Sequence, residues 1–294
     1  MSLKFKLGII TQHPSLYSTQ RLCAEAEALN YQIQLIHSLD QVEQYEYDAV
    51  IPRIGISEFQ THIKITQNFE KKRIPILNSS YGITVARHKW LMHQFLKMNA
   101  IPTPLTQLIE WKPEESENAI VEKVLKVRTE FPFILKIQQG SQGYGVYKIN
   151  NTQELLQTLH EIPQQLKDVD SQIKYFDFIV QDYIPSVEAH GDIRLFMVDG
   201  ECVACMQRIP ATGDFRSNLH KGGTAHHSAA LPFEVDWAKY ICQKLQLKVA
   251  GVDILRTPEA SYVLEVNSSP GLEGIEKLTS QNIAQKIILS ALKF

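Results

Sequence analysis

Glu265 and Asn267 stand two residues apart in Val263-Leu264-Glu265-Val266-Asn267. A β-strand projects such a pair from one face and turns Leu264 and Val266 to the other. Just upstream, Asp253 interrupts the apolar run Val249 to Leu255. Two carboxylates and an amide oxygen planted in apolar strands are costly unless they are charge-paired or bound to metal. Hard oxygen donors suit Mg²⁺, which takes one or two carboxylates together with substrate phosphates. The same pattern fits polar residues facing water on a one-sided antiparallel sheet, and spacing alone leaves both readings open.

Lys136 lies between Leu135 and Ile137, where an ammonium without an anion is expensive. It calls for a phosphate or a carboxylate. After it comes the turn Gly140-Ser141-Gln142-Gly143-Tyr144-Gly145, whose glycines let backbone N–H groups approach an anion closely. No Gly-Lys-Ser/Thr follows, so this is not a Walker A loop, and an ordinary glycine hairpin has the same composition. Thr212 to Gly223 carries Asp214, Arg216, Asn218, His220 and Lys221. With Arg208, its cations suit a triphosphate or an acyl-phosphate; a solvated surface loop fits equally. Cys202 and Cys205 form a C-x-x-C, but no second thiolate pair completes a zinc site. A spacing of three in a strand sends the two thiols to opposite faces, so they read as small core residues.

Strands and helices must hold these side chains. In the first eighty or so residues, short apolar strands (Lys6 to Thr11, Ile33 to Ile36, Asp48 to Pro52, Ile74 to Leu77) alternate with helices (Thr19 to Asn30, Glu58 to Lys72). That alternation predicts a small doubly wound parallel sheet with helices on both faces. Gly8 is followed by no Gly-rich phosphate turn, so no dinucleotide site is expected there. One helix is expected from Tyr81 to Met98, ended by Ile101-Pro102-Thr103-Pro104. Beyond it the rhythm changes to hairpins: Pro132 to Gln138 with Val146 to Ile149, then Asp192 to Val198 with Cys202 to Arg208 across Asp199-Gly200. Pro210 to Ala225 reads as a long loop, and loops of that length in compact domains are usually functional.

The bulk composition sets limits. The 294 residues are 44% hydrophobic and 21% charged, with a formal net charge of -2. No overall field draws the chain to nucleic acid or membrane, so anions must be held by local cations. The first apolar run is too short for a signal peptide and no stretch approaches membrane-spanning length. A cytoplasmic protein is expected, without membrane or direct nucleic-acid partners. The four scattered cysteines do not form a disulfide framework.

Taken in order, the motifs resemble the RimK-type ATP-grasp ligases over essentially the whole chain. They are Ala49 to Gly55, Ala86-Arg87-His88-Lys89, Lys136 with its glycine turn, Val180 to Ile184, and Gly191 to Arg194. Gly213 to Gly223, Ala250 to Arg256 and Glu265 to Glu276 complete the series. The resemblance implies an N-terminal α/β domain over residues 1–85, followed by a two-subdomain ATP-grasp fold divided into 86–184 and 185–294. ATP would lie between the subdomains. Lys89 and Lys136 would contact its phosphates, Asp182, Tyr183 and Ile184 would line the adenine pocket, and Asp192 would meet the ribose. Arg216, Ser217 and Asn218 would also hold phosphates, with Arg216 and Lys136 the catalytic cations. Asp253, Glu265 and Asn267 would hold Mg²⁺ or Mn²⁺, two ions in all. Arg53 and Ser141 would contact the substrate.

The implied reaction joins a carboxylate to an amine through an acyl-phosphate, so no enzymic nucleophile is required. The expected activity adds L-glutamate to a protein or peptide C-terminus, by a homo-oligomer. A glutathione-synthetase-like ligase with a small-molecule or cofactor acceptor is the alternative, and a non-catalytic ATP-binding module a third reading. Asp182 stands where the family commonly has Glu, and Gln207, Ile209 and Pro210 depart from the family's charged pattern beside Arg208. Replacing Asp253 or Glu265 by Ala is expected to abolish turnover and leave the fold intact.

Overall fold

A computed structural model describes residues 5–55, 58–138, 145–169, 176–185, 191–216 and 222–293. In chain order the elements are β1 (Lys6–Ile10), α1 (Tyr17–Ala28), β2 (Gln32–Ile36), α2 (Asp40–Gln44), β3 (Ala49–Pro52), α3 (Phe59–Lys71), α4 (Ser80–Arg87), α5 (Lys89–Met98), β4 (Thr106–Trp111), α6 (Glu117–Val127) and β5 (Phe133–Ile137). There follow β6 (Val146–Ile149), α7 (Thr152–Val169), β7 (Phe176–Asp182), β8 (Asp192–Val198), β9 (Glu201–Ile209), β10 (Thr224–His227), α8 (Pro232–Lys244), β11 (Val249–Arg256), β12 (Ser261–Asn267), α9 (Glu273–Thr279) and α10 (Ile283–Ser290).

The first sheet is parallel, in the order β2-β1-β3. Alternation along its strands splits the core. Leu7, Ile9, Ala49 and Ile51 pack with Leu22 and Ala26 of α1 and with Ile283, Ala284, Ile287 and Ile288 of α10. Ile10 and Val50 point the other way, to Phe69 of α3 and Ile83 of α4. The expected doubly wound arrangement is present, with the end of the chain supplying part of one covering layer.

Two antiparallel sheets follow, β4-β7-β5-β6 and β10-β9-β8-β11-β12. The four-stranded sheet has its own core, built with Ile120 and Val124 of α6 and Leu155, Leu159 and Ile162 of α7. The five-stranded sheet shares its core with the first sheet, since Leu195, Val252 and Val266 join Ile10, Val50 and Ile83.

Several sequence expectations are corrected. The helix expected over Tyr81 to Met98 is two, because His88 adopts φ -95° and ψ 102° and caps α5 by accepting from Leu91 N–H. Ile74 to Leu77 forms only a bridge from Ile76 to Val50. The segment Pro210 to Ala225 enters strand β10, which pairs with β9. The β8–β9 register slips between Phe196 and Met197, leaving Val203 as an extra residue. A bulge of this kind shifts the alternation by one, so Cys202 and Cys205 pack against the same core and not on opposite faces. Asp199 and Gly200, at φ 53° and 79°, make the left-handed pair that the two-residue turn demands.

Candidate active site

The four- and five-stranded sheets face each other across a cleft. Lys136, Gln181, Asp182, Tyr183 and Ile184 line one wall; Asp192, Arg208, Phe215, Arg216, Asp253 and Glu265 line the other. A second space adjoins this one at Lys136, Gln181, Leu264 and Glu265 and adds Arg87, Lys89, Asn267, Ser268 and Ser269. Among the residues expected from sequence, Lys89, Lys136, Asp182, Tyr183, Ile184, Asp192, Arg216, Asp253, Glu265 and Asn267 are thus brought together. Arg53 lies beside the cleft, where its Nη2 donates to the Pro270 carbonyl at 2.9 Å. Ser141, Ser217 and Asn218 lie outside the described residues.

Asp253 and Glu265 face each other across the β11–β12 ladder. The register slips there too, and Leu264 is the extra residue. The slip corrects the expected alternation: Val266 is buried in the core, whereas Leu264 turns into the cleft beside Glu265. Asn267 joins them, its Nδ2 donating to Asp253 Oδ2 at 3.3 Å and to Glu265 Oε1 at 3.2 Å.

The rest of this wall is a buried ion network. Arg194 grips Asp253 with Nε and Nη2, at 2.6 and 2.5 Å. Arg208 donates to both Asp192 oxygens at 2.6 and 2.8 Å and to Asp253 Oδ2 at 2.8 Å. Adjacent antiparallel strands dictate this, because Asp192 pairs with Arg208, and Asp253 with Arg194. Gly191 lets β8 begin so close, since a Cβ on it would stand 1.7 Å from the Arg208 carbonyl oxygen. Burial works against both aspartates. For Asp253 the two arginines outweigh it and hold the carboxyl below its ordinary range. For Asp192 burial, with the nearby Asp253 charge, prevails over Arg208 and pushes the carboxyl up.

The opposite wall carries cations against neutral groups. Lys136 Nζ donates to Gln181 Oε1 at 2.7 Å, and Gln181 Nε2 donates in turn to Thr106 Oγ1 at 2.8 Å. Lys89 Nζ donates to the Gln138 carbonyl at 3.4 Å. Burial lowers the pKa of both lysines, that of Lys89 to about 8, with Glu265 opposing the shift and Lys136 and Arg87 adding to it. The Asp182 side chain turns to Arg128 at 2.5 Å, so its approach to the cleft is by backbone. Lys148 Nζ stands 4.1 Å from the centre of the Tyr183 ring. Arg216 Nη2 is held by Asp214 at 2.7 Å.

Lysines and an arginine converging with two carboxylates and an amide are the ingredients of a metal-polyphosphate site. A family model described as a RimK-like ATP-grasp domain matches residues 86–291. The chain belongs to the RimK-like ATP-grasp family. It is 36% identical, over 96% of its length and 94% of the relative's, to a probable alpha-L-glutamate ligase of Aliivibrio fischeri. Among solved structures, a RimK domain ATP-grasp protein of Sphaerobacter thermophilus is 15% identical with a TM-score of 0.70, covering 98% of this chain and 99% of that one. A D-alanine–D-alanine ligase of Bacillus anthracis, complexed with ATP, is 16% identical with a TM-score of 0.72, covering 99% and 97%. Membership makes this protein an ATP-dependent ligase, of a class that works with divalent metal. The donor set fits such an ion: hard oxygens of Asp253 and Glu265 meet at one amide, and turning the Asn267 amide by half a turn adds a third.

Arg194 and Gln181 are the site residues that sequence reasoning passed over. Both are polar residues inside apolar strands, Asp192-Ile193-Arg194-Leu195 and Ile179-Val180-Gln181, the same signal that singled out Asp253 and Lys136. No helix among the described residues is long and apolar enough to cross a membrane.

Proposed function

We propose that this ligase uses ATP and Mg²⁺ to add L-glutamate to the carboxylate terminus of a protein or peptide. The convergence of Lys136, Lys89 and Arg216 with Asp253, Glu265 and Asn267 in one cleft carries this reading, and the glutamate-ligase names of relatives that match nearly the whole chain support the choice of amino acid. The domain limits 1–85, 86–184 and 185–294 go with it, as does a cytoplasmic setting, which the four free thiols suit.

ATP lies with its adenine against the Asp182–Ile184 backbone and its ribose toward Asp192. Lys89 and Lys136 hold the phosphates, and Arg216 swings from Asp214 onto the transferring group. The acceptor carboxylate attacks the γ-phosphorus, giving ADP and an acyl-phosphate. The amine of glutamate then attacks the acyl carbon, and the intermediate collapses to an amide and phosphate. Asp253, Glu265 and Asn267 would hold the metal, which would neutralise charge on the phosphates. Fixed cations facing the developing charge accelerate the transfer without reorganising.

The test is ADP release from ATP and Mg²⁺ with a peptide acceptor and the amino acids supplied singly, followed by mass spectrometry. Glutamate-dependent release with products spaced by one glutamyl residue is expected. Release with another amino acid and none with glutamate would overturn the assignment.

A further inference from the structure

Behind the cation wall of the cleft, three side chains form a series of hydrogen bonds that all donate toward Pro104. Thr106 Oγ1 donates to the Pro104 carbonyl at 2.8 Å, Gln181 Nε2 to Thr106 Oγ1 at 2.8 Å, and Lys136 Nζ to Gln181 Oε1 at 2.7 Å. Strand pairing sets this up. Thr106 of β4 stands opposite Gln181 of β7, and Gln181 stands opposite Ile134 of β5. Lys136, two residues on from Ile134, is therefore a diagonal neighbour of Gln181 on the same face. Asp182 N–H donates to the Leu105 carbonyl at 2.9 Å, which keeps β4 and β7 paired up to the edge of the cleft. Thr106 and Gln181 are buried, at 3% and 4% exposure. Gln181 lines both spaces of the cleft and Thr106 neither.

The orientation of the Gln181 amide is forced from both ends. A hydroxyl has a single proton, and that of Thr106 goes to a carbonyl, which can only accept. The Thr106 oxygen is left to accept, so the amide must turn its NH₂ group toward it. An ammonium can only donate, so the amide oxygen must face Lys136. The two demands agree, and the β-branched Thr106 has few rotamers in which to abandon its own. What reaches Lys136 is thus a dipole and not a charge. Among the described residues no carboxylate makes an ion pair with Lys136, and Glu265 and Asp192 act on it only through space. An amide oxygen fixes the direction of the ammonium and leaves its full charge for a phosphate. A carboxylate in the same place would cancel that charge in advance.

We infer that Thr106 and Gln181 are positioning residues, and that the series anchored at Pro104 holds the Lys136 ammonium aimed and uncompensated for the polyphosphate. The inference rests on the phosphate role given to Lys136 above and adds what enforces it. Affinity for phosphate is then set in part by Thr106, a residue that does not line the cleft.

Titration of the full chain with ATP and with adenosine, without metal, tests the inference. Adenosine carries no phosphate, so its affinity reports an intact pocket, and the ratio of the two affinities reports the lysine. Thr106→Val keeps the side-chain shape and removes the hydroxyl. The ratio is expected to fall by about threefold to tenfold, the scale of one hydrogen bond, with adenosine affinity unchanged. Thr106→Ser should restore it. Gln181→Leu, expected to lower the ratio at least as far, decides the matter where Thr106→Val does not fold. Lys136→Met should lower the ratio most, and adding Thr106→Val to it should change nothing further, because residues that act through one another are not additive. An unchanged ratio in Thr106→Val, an equal loss of ATP and adenosine, or a further fall in the double variant overturns the inference and leaves Lys136 on the phosphates. A ratio unmoved by Lys136→Met removes the phosphate role itself, and the inference falls with it.

Discussion

On the five-stranded wall Asp253 meets Arg194 at 2.5 Å and Arg208 at 2.8 Å, whereas on the four-stranded wall Lys136 leans on the neutral amide of Gln181. The first wall has its charges balanced before any ligand arrives. The second holds Lys136 in a dry setting against an amide dipole, where the nucleotide supplies the counter-charge. Stability and affinity are therefore written into different walls. Buried, paired charges removed from the first should cost folding as well as catalysis, and charges removed from the second should cost function and spare the fold.

The largest expected effect comes from Asp253→Ala. It strands Arg194 and takes from Arg208 one of its two carboxylates, at a position only 1% exposed, and removing one partner of a buried ion pair costs about 3–5 kcal/mol. Turnover should vanish and the denaturation midpoint should fall in chemical unfolding. A loss of stability is thus expected for Asp253→Ala, and an intact fold only for a change at the exposed Glu265. Glu265→Gln should abolish turnover with an unchanged midpoint. An Asp253→Ala protein as stable as wild type would show that the arginine network contributes nothing to the fold.

Next in size is Lys136→Met, with kcat/KM for ATP expected to drop by about 10²–10³-fold, the scale for losing a fixed transition-state donor. Thermal unfolding should show no loss of stability, because a buried ammonium is exchanged for an apolar chain of similar length. A fall in the midpoint beyond about 1 kcal/mol equivalent would break the division between the walls.

The smallest effect is in pH. With its pKa near 8, Lys89 sheds its proton as pH rises through that value, and its hold on phosphate weakens. ATP affinity measured by titration should fall by about threefold to tenfold between pH 7 and 9.5, and Lys89→Gln should flatten that dependence. Stability of the ligand-free protein runs in the opposite sense. The folded state binds fewer protons than the unfolded one between about 8 and the ordinary 10.5, so unfolding becomes harder over that window.

The sequence was most legible where polar residues break apolar strands. Glu265 and Asn267 declared a shared face, Asp253 stood out inside an apolar run, and Lys136 declared a need for a partner. What it hid is cross-strand. That Arg194 and Arg208 close on Asp253 depends on which strands are neighbours, and β11 lies beside β8, about fifty residues earlier in the chain. Bulges are hidden for a like reason: Val203 and Leu264 are ordinary strand residues, and only their partners' spacing makes them extra. Helix α6 went unread, although Ser116 caps it and Ile120 and Val124 repeat on its buried face. The break at His88 could not be read, because nothing in Arg87-His88-Lys89 forbids a continuous helix.

The pairing of α1 with α10 bears on when the protein folds. Arg21 of α1 reaches Glu276 at 3.1 Å and Asn282 at 3.0 Å, and Leu7, Ile9, Ala49 and Ile51 rest on Ile283, Ile287 and Ile288. During synthesis the first sheet emerges early, yet one of its apolar faces waits for residues made some two hundred positions later. At about 5–20 residues per second that is a delay of roughly 10–40 seconds, with a sticky surface uncovered. The parallel sheet thus stands to gain from a chaperone until α10 has been made and covers it.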